Sequence, residues 1–165
     1  MKLSEIKQGP IERPPRIIVC GVEKSGKSTF ASGFVNPVFI PIKAEEGIDA
    51  LDVAKVPTCS TFEDVMDAIE MLYTEKHDFQ TVVLDSVSAL EPVIWEAVCK
   101  EANCESIEKV GGGFGKGYVE ALTKWRELMA GLDGLRDRGM TTICIGHVTV
   151  RSFVDPLTDT YDVYE

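Results

Sequence analysis

The stretch "RIIVCGVEKSGKSTF" (residues 16–30) sets an apolar run against Gly21, leaves four residues, and closes with Gly26-Lys27-Ser28-Thr29. The spacing fits G-x-x-x-x-G-K-[ST], a loop whose backbone N–H groups turn inward around phosphate oxygens. Glycines at 21 and 26 permit the turn. In this reading Gly21, Val22, Glu23, Lys24, Ser25, Gly26, Lys27, Ser28 and Thr29 form the cradle. The Lys27 ammonium reaches the outer phosphates and the Ser28 hydroxyl ligates magnesium. The alternative is a plain strand–turn–helix connection with a surface lysine. Four fixed positions are too few to choose, so the context decides. "RIIVC" is β-branched and apolar, as expected of a buried strand. "KSTFASGF" reads as a short helix closed by Asn36-Pro37, its N-terminal end facing the phosphates.

The rest of the chain suits that context. Its 165 residues suffice for one domain with a real core, and 44% hydrophobic residues mark it as globular. Residues 1–15, of mixed charge and with prolines, read as a flexible N-terminal arm, leaving 16–165 as the domain. With no signal-peptide or membrane-length apolar run, a cytoplasmic protein without a membrane partner is expected. Five cysteines without paired spacing fit a reducing compartment, and the Cys99–Cys104 gap is wrong for a zinc knuckle. The net charge of −10 opposes strong autonomous binding of nucleic acid. It leaves room for a local basic loop or a surface assembled in an oligomer.

Along the chain, "PVFIPI" (37–42) reads as a second strand ended by Pro41. "TFEDVMDAIEMLYTE" reads as a helix capped by Thr61, and "FQTVVLD" (79–85) as a buried strand. A helix follows through "VSALEPVIWEAVCKEA", then a glycine-rich break at "VGGGFGKGY". In the long helix after it, Tyr118, Leu122, Trp125, Leu128, Met129, Leu132 and Leu135 are expected to share a buried face. "MTTICIGHV" reads as another buried strand, and "RSFVDPLTDTYDVYE" as a hairpin around Asp155-Pro156. Strands alternating with helices predict an α/β fold with a mostly parallel sheet flanked by helices.

Asp85 ends "TVVLD", where a carboxylate at a strand's carboxyl end can face the loop and hold magnesium. "VVLDSVSALEP" resembles the Walker B segment of RecA-type ATPases. The wider chain resembles the phage-encoded nucleotide-binding AAA-type proteins of RecA-like fold, which include single-strand annealing or recombination proteins. The matching stretches are "GVEKSGKST", "AEEGIDAL", "HDFQTVVLDSVSALE", "GFGKGYVEAL", "ICIGHV" and "DPLTDTYDVYE". The resemblance implies a RecA-like P-loop NTPase using ATP and Mg2+, and a homo-oligomer in the full-length form. If phage-encoded, it works in the bacterial host cytoplasm. Relatives continue beyond the "DVYE" segment, so a sheet short of its last strands is expected.

The resemblance also assigns roles. An acid after the second strand polarises the attacking water, here Glu45 or Glu46, with Glu45 favoured by the family's Glu-acid-Gly pattern. The polar residue ending "TTICIGH", His147, senses the γ-phosphate, where RecA carries glutamine. A basic residue completes the site of a neighbouring subunit, with Arg151, Arg136 and Arg138 as candidates against ordinary solvated arginines. His77 reads as a surface residue. In residues 111–118, Phe114 and Tyr118 supply rings and Lys116 a charge. That combination suits single-stranded DNA, and it equally suits a flexible connector with Tyr118 in the core.

The leading function is hydrolysis of Mg-ATP in phage DNA recombination or single-strand annealing. A small-molecule or nucleoside kinase is one alternative, although no arginine-bearing lid is evident. A non-catalytic module that uses ATP to order a DNA-binding surface is the other. A GTPase fits less well, since neither Asn36 nor Asn103 begins an N-K-x-D element.

Overall fold

The structure, a computed structural model, describes residues 3, 6, 8–9, 12–43, 47–154 and 161–164. A five-stranded parallel sheet is built from β1 (Arg16–Gly21), β2 (Pro37–Pro41), β3 (Ala54–Lys55), β4 (Thr81–Asp85) and β5 (Thr141–His147), in the order β1-β5-β4-β2-β3. The short helix α1 (Lys27–Ser32) covers one face. Helices α2 (Phe62–Thr74), α3 (Val87–Glu101) and α4 (Lys116–Asp137) cover the other. The predicted α/β fold with a mostly parallel sheet is the observed one.

Continuous apolar strands follow from this layering. Val38, Ile40, Val82 and Leu84 pack toward α2–α4, whereas Phe39, Val83, Ile143 and Ile145 pack toward α1 and Ile48. With both faces covered, alternation with polar residues would place polar groups in a core. Helix α2 starts on a capping box: Asp64 N donates to Thr61 Oγ1 at 3.1 Å, and Thr61 N to the Asp64 carboxylate at 2.8 Å. The Ser60 and Thr61 amides, then the Thr61 hydroxyl, hold the Asp64 carboxyl below its ordinary value.

Two expectations are corrected. Strand β1 is an edge among the described strands, pairing with β5 alone, and Ile18 is 74% exposed. The α2–α4 layer packs over β2 and β4 and against Cys144 of β5, and the core beneath it includes no residue of β1. Helix α4 buries Gly117, Ala121, Leu128, Leu132 and Leu135, while Tyr118, Leu122 and Met129 are exposed. Small residues at 117 and 121 form the close-packed side, which turns Tyr118 and Leu122 out by about 100° each. The glycines between α3 and α4 shape a turn. A 3-10 segment (Ile107–Gly112) leads into it, and Gly111, Gly112, Gly113 and Gly115 all have positive φ, at 62, 85, 92 and 75°.

The hairpin expected at the end of the chain is present as antiparallel β6 (Val150–Phe153) and β7 (Tyr161–Tyr164); its turn at Asp155-Pro156 lies outside the described residues. No helix among the described residues is long and apolar enough to cross a membrane.

Gly117 gives the α4 packing a direct test. A Cβ there would stand 2.1 Å from the Ile107 carbonyl oxygen. Gly117→Ala should lower unfolding stability by about 1–3 kcal/mol despite alanine's better helix propensity. Denaturant unfolding measures this, and a stabilised variant would contradict the packing.

Candidate functional site

The site lies at the carboxyl ends of β1, β5 and β4, and its registration comes from the strand ladder. Gly21 pairs with His147, and Asp85 with Ile145. The strand that follows β1 in sequence, β2, lies beyond β4, so β4 and β5 fill the interval. Loops diverge at such a switch point and leave a crevice.

Residues 21–29 close over this crevice. Gly26 adopts φ 86°, ψ 18°, and Lys24 sits at φ 60°. The loop folds back closely on Gly21: a Cβ there would stand 2.8 Å from Ser25 Oγ, so the serine side chain would have to turn away. Helix α1 has six residues, so local N–H groups matter more than a macrodipole.

Lys27 is only 7% exposed. Its ammonium donates to the Gly21 carbonyl at 3.0 Å and the Val22 carbonyl at 2.8 Å, and lies 3.4 Å from His147 Nδ1. The Ser28 hydroxyl donates to Asp85 Oδ2 at 2.7 Å. Asp85 is buried and is followed by a cis peptide to Ser86. A cleft of about 240 Å³ is walled by Lys24, Ser25, Gly26, Lys27, Ser28 and Thr29 on one side and Gly47, Asp85 and His147 on the other. Val22 lines an adjoining cleft, and Glu23 lines neither.

A hydroxyl and a carboxylate in contact beside a buried ammonium suit a magnesium–phosphate group. Magnesium takes one or two protein oxygens and completes its shell with phosphate and water. The donors fit that pattern, and the described residues hold no cluster of three or more His, Cys, Asp or Glu that would suit a different metal.

Glu45 and Glu46 lie outside the described residues. Both flanks of that segment are placed: Lys43 N donates to the Cys59 carbonyl at 2.9 Å, Lys43 Nζ meets Glu96 at 2.6 Å, and Gly47 lines the cleft. Arg136 and Arg138 sit at the far end of α4, bonded to the Pro14 carbonyl and stacked 4.9 Å over Tyr73. Arg151 is exposed on β6. His77 is half-buried, its ring bonded to the Leu72 carbonyl and the Phe79 amide.

One positioning residue has no signal in the sequence. Ser88, in the first turn of α3, accepts from His147 N at 2.9 Å and so ties the end of β5 to the helix after Asp85. Ser86 caps the same helix; its hydroxyl accepts from Ala89 N at 3.1 Å.

The parallel sheet, the glycine loop and the acid on the second strand over define a P-loop NTPase with a RecA-like core. Residues 13–165 match the family described as an AAA domain, and the chain belongs to that family. Membership places it among AAA-type P-loop ATPases. No curated protein matches it.

Two thiols report on the order around these strands. Burial pushes Cys144 on β5 up to about 11, and burial followed by the Asp64 charge does the same for Cys59. Each favours the folded state fully below the ordinary value of 9.0, and that contribution is lost as pH rises through about 11. At pH 8 both should resist alkylation in the folded chain, while exposed Cys20 reacts. Mass mapping of alkylated peptides checks this, and equal labelling of Cys20 and Cys144 would contradict it.

Proposed function

We propose that this chain binds and hydrolyses Mg-ATP, and that it does so in phage DNA recombination or single-strand annealing. The hydrolytic reading rests on the convergence of Lys27, Ser28, Asp85 and His147 on one cleft. Lys27 leaves the loop carbonyls for the outer phosphate oxygens, and loop N–H groups hold the rest of the triphosphate. Ser28 and Asp85 hold magnesium, which when bound neutralises charge on the phosphates. Glu45 takes the proton of the attacking water, only two residues before cleft-lining Gly47. Oxygen bonds to the γ-phosphorus as the bond to the β–γ bridging oxygen breaks, giving ADP and phosphate. His147, beside Lys27, reads the loss of the γ-phosphate. Positioning and charge stabilisation supply the rate. Arg151 is the candidate cation for a neighbouring subunit's site. The kinase alternative is weakened because the glycine-rich turn 111–117 carries Lys116 and no arginine.

Lys27→Ala should remove most of the melting-temperature rise produced by Mg-ATP. Glu45→Gln should keep that rise while lowering hydrolysis about 10²–10⁴-fold. Thermal melts with phosphate-release assays decide; an unchanged melting shift in Lys27→Ala contradicts the site, and loss only in Glu46→Gln moves the base by one residue.

The DNA reading rests on Phe114, wholly exposed and held at φ 57° by the glycine turn. Nearby Tyr118 is 41% exposed and stands edge-on to Trp95 at 5.6 Å. Such rings offer stacking faces to unpaired bases. The charge of −10 opposes long-range attraction to the strand, so binding by the isolated chain is weak. Phe114→Ala should weaken binding of a labelled single-stranded oligonucleotide about tenfold, read by anisotropy. No binding at low salt by ATP-loaded protein would return residues 111–118 to a connector.

A further inference from the structure

The phosphate cleft of about 240 Å³ is too small for a whole nucleotide. Beside it lies a second cleft of about 580 Å³ that shares Ser25, Gly26 and Lys27 with the first. Its remaining walls include Cys20, Val22, Phe30 and Val148. Whatever extends from a triphosphate in the loop has an apolar chamber next to it.

Phe30 stands one turn along α1 from Lys27 and is 55% exposed. Its ring meets Phe34 edge-to-face, with centroids 5.4 Å apart and planes at 73°. That contact fixes the ring's attitude while much of it stays open to the cleft. A purine laid on it would cover apolar surface on both partners.

No carboxylate or amide side chain lines this cleft among the described residues. The Lys27 ammonium is committed to the phosphate loop. Among the described side chains a base seated here meets, besides Lys27, only the Ser25 hydroxyl and the Cys20 thiol as polar groups, neither of which presents the paired donor and acceptor that would tell adenine from guanine, and walls of this kind discriminate poorly between similar ligands.

We propose that the cleft bounded by Val22, Phe30 and Val148 seats the nucleotide base, held by stacking on Phe30, and that the site takes adenine and guanine triphosphates almost alike. This rests on the nucleotide-binding reading above. Phe30 acts here as an affinity residue for the base and leaves the phosphates to the loop.

The test is competition against a ribose-labelled fluorescent ATP, using ATP, GTP and inorganic tripolyphosphate as competitors. Wild type should bind ATP and GTP within about threefold of each other. Phe30→Leu keeps the apolar volume and loses the aromatic face, so ATP and GTP should each weaken about tenfold while tripolyphosphate is unchanged. Phe30→Tyr should restore both. Unchanged nucleotide affinity in Phe30→Leu overturns the proposal, as does an equal loss of nucleotide and tripolyphosphate, or a wild-type preference beyond about thirtyfold. Lys27→Ala separates the two readings. If tripolyphosphate and nucleotides bind it as they bind wild type, the phosphate site itself fails. If Lys27→Ala loses all three competitors while Phe30→Leu loses none, the base seat alone fails.

Discussion

Parallel pairing of β1, β5 and β4 is the constraint on which the site depends. Gly21 opposite His147 and Asp85 opposite Ile145 bring three carboxyl-terminal strand ends to one edge of the sheet. No loop residue has to search for Asp85, because the ladder has already placed it 2.7 Å from the Ser28 hydroxyl. Parallel strands need both faces covered, which commits "TVVLD" and much of "MTTICIGHV" to apolar residues. The polar residues that remain stand at the strand ends, where the layers open.

Lys27 shows what that placement does to a charge. A nearly buried ammonium is expensive to desolvate unless its protons find acceptors. Two loop carbonyls and the His147 ring lie within reach, and they share the task without a formal negative charge. Among the described residues no carboxylate forms an ion pair with it, so the cation is positioned and satisfied by neutral groups, an arrangement that suits an incoming polyanion. A carboxylate in direct contact would have satisfied it more strongly and would compete with phosphate. The nearby carboxylate, Asp85, instead accepts from Ser28.

Much of this was legible from residues because strand and loop report each other: an apolar run, a fixed glycine spacing and a helix follow in order. Asp85 and His147 were legible as strand-end polar residues, and the sheet brings them together with the loop. The exposure of Ile18 was not legible, since a run such as "RIIVC" looks the same at a sheet's centre and at its edge. The face of α4 was misread because glycine and alanine at 117 and 121 carry little hydrophobic signal, yet they allow the closest approach. The glycines at 111–115 read as a break in the chain; the exposure of Phe114 that their positive φ values produce was not legible. Ser88 was invisible because its role is a contact with the backbone of a residue 59 positions away.

If a triphosphate is held in this protein, Lys27, Ser28 and Asp85 are where it must sit. A crystal structure with magnesium and a slowly hydrolysed ATP analogue tests that placement most directly. Phosphate oxygens should lie in the 21–29 loop, with the Lys27 ammonium moved from the Gly21 and Val22 carbonyls onto them. Metal and its bound water should replace the direct Ser28–Asp85 hydrogen bond. A nucleotide bound elsewhere, with Lys27 still on those carbonyls and the Ser28–Asp85 bond intact, would contradict it.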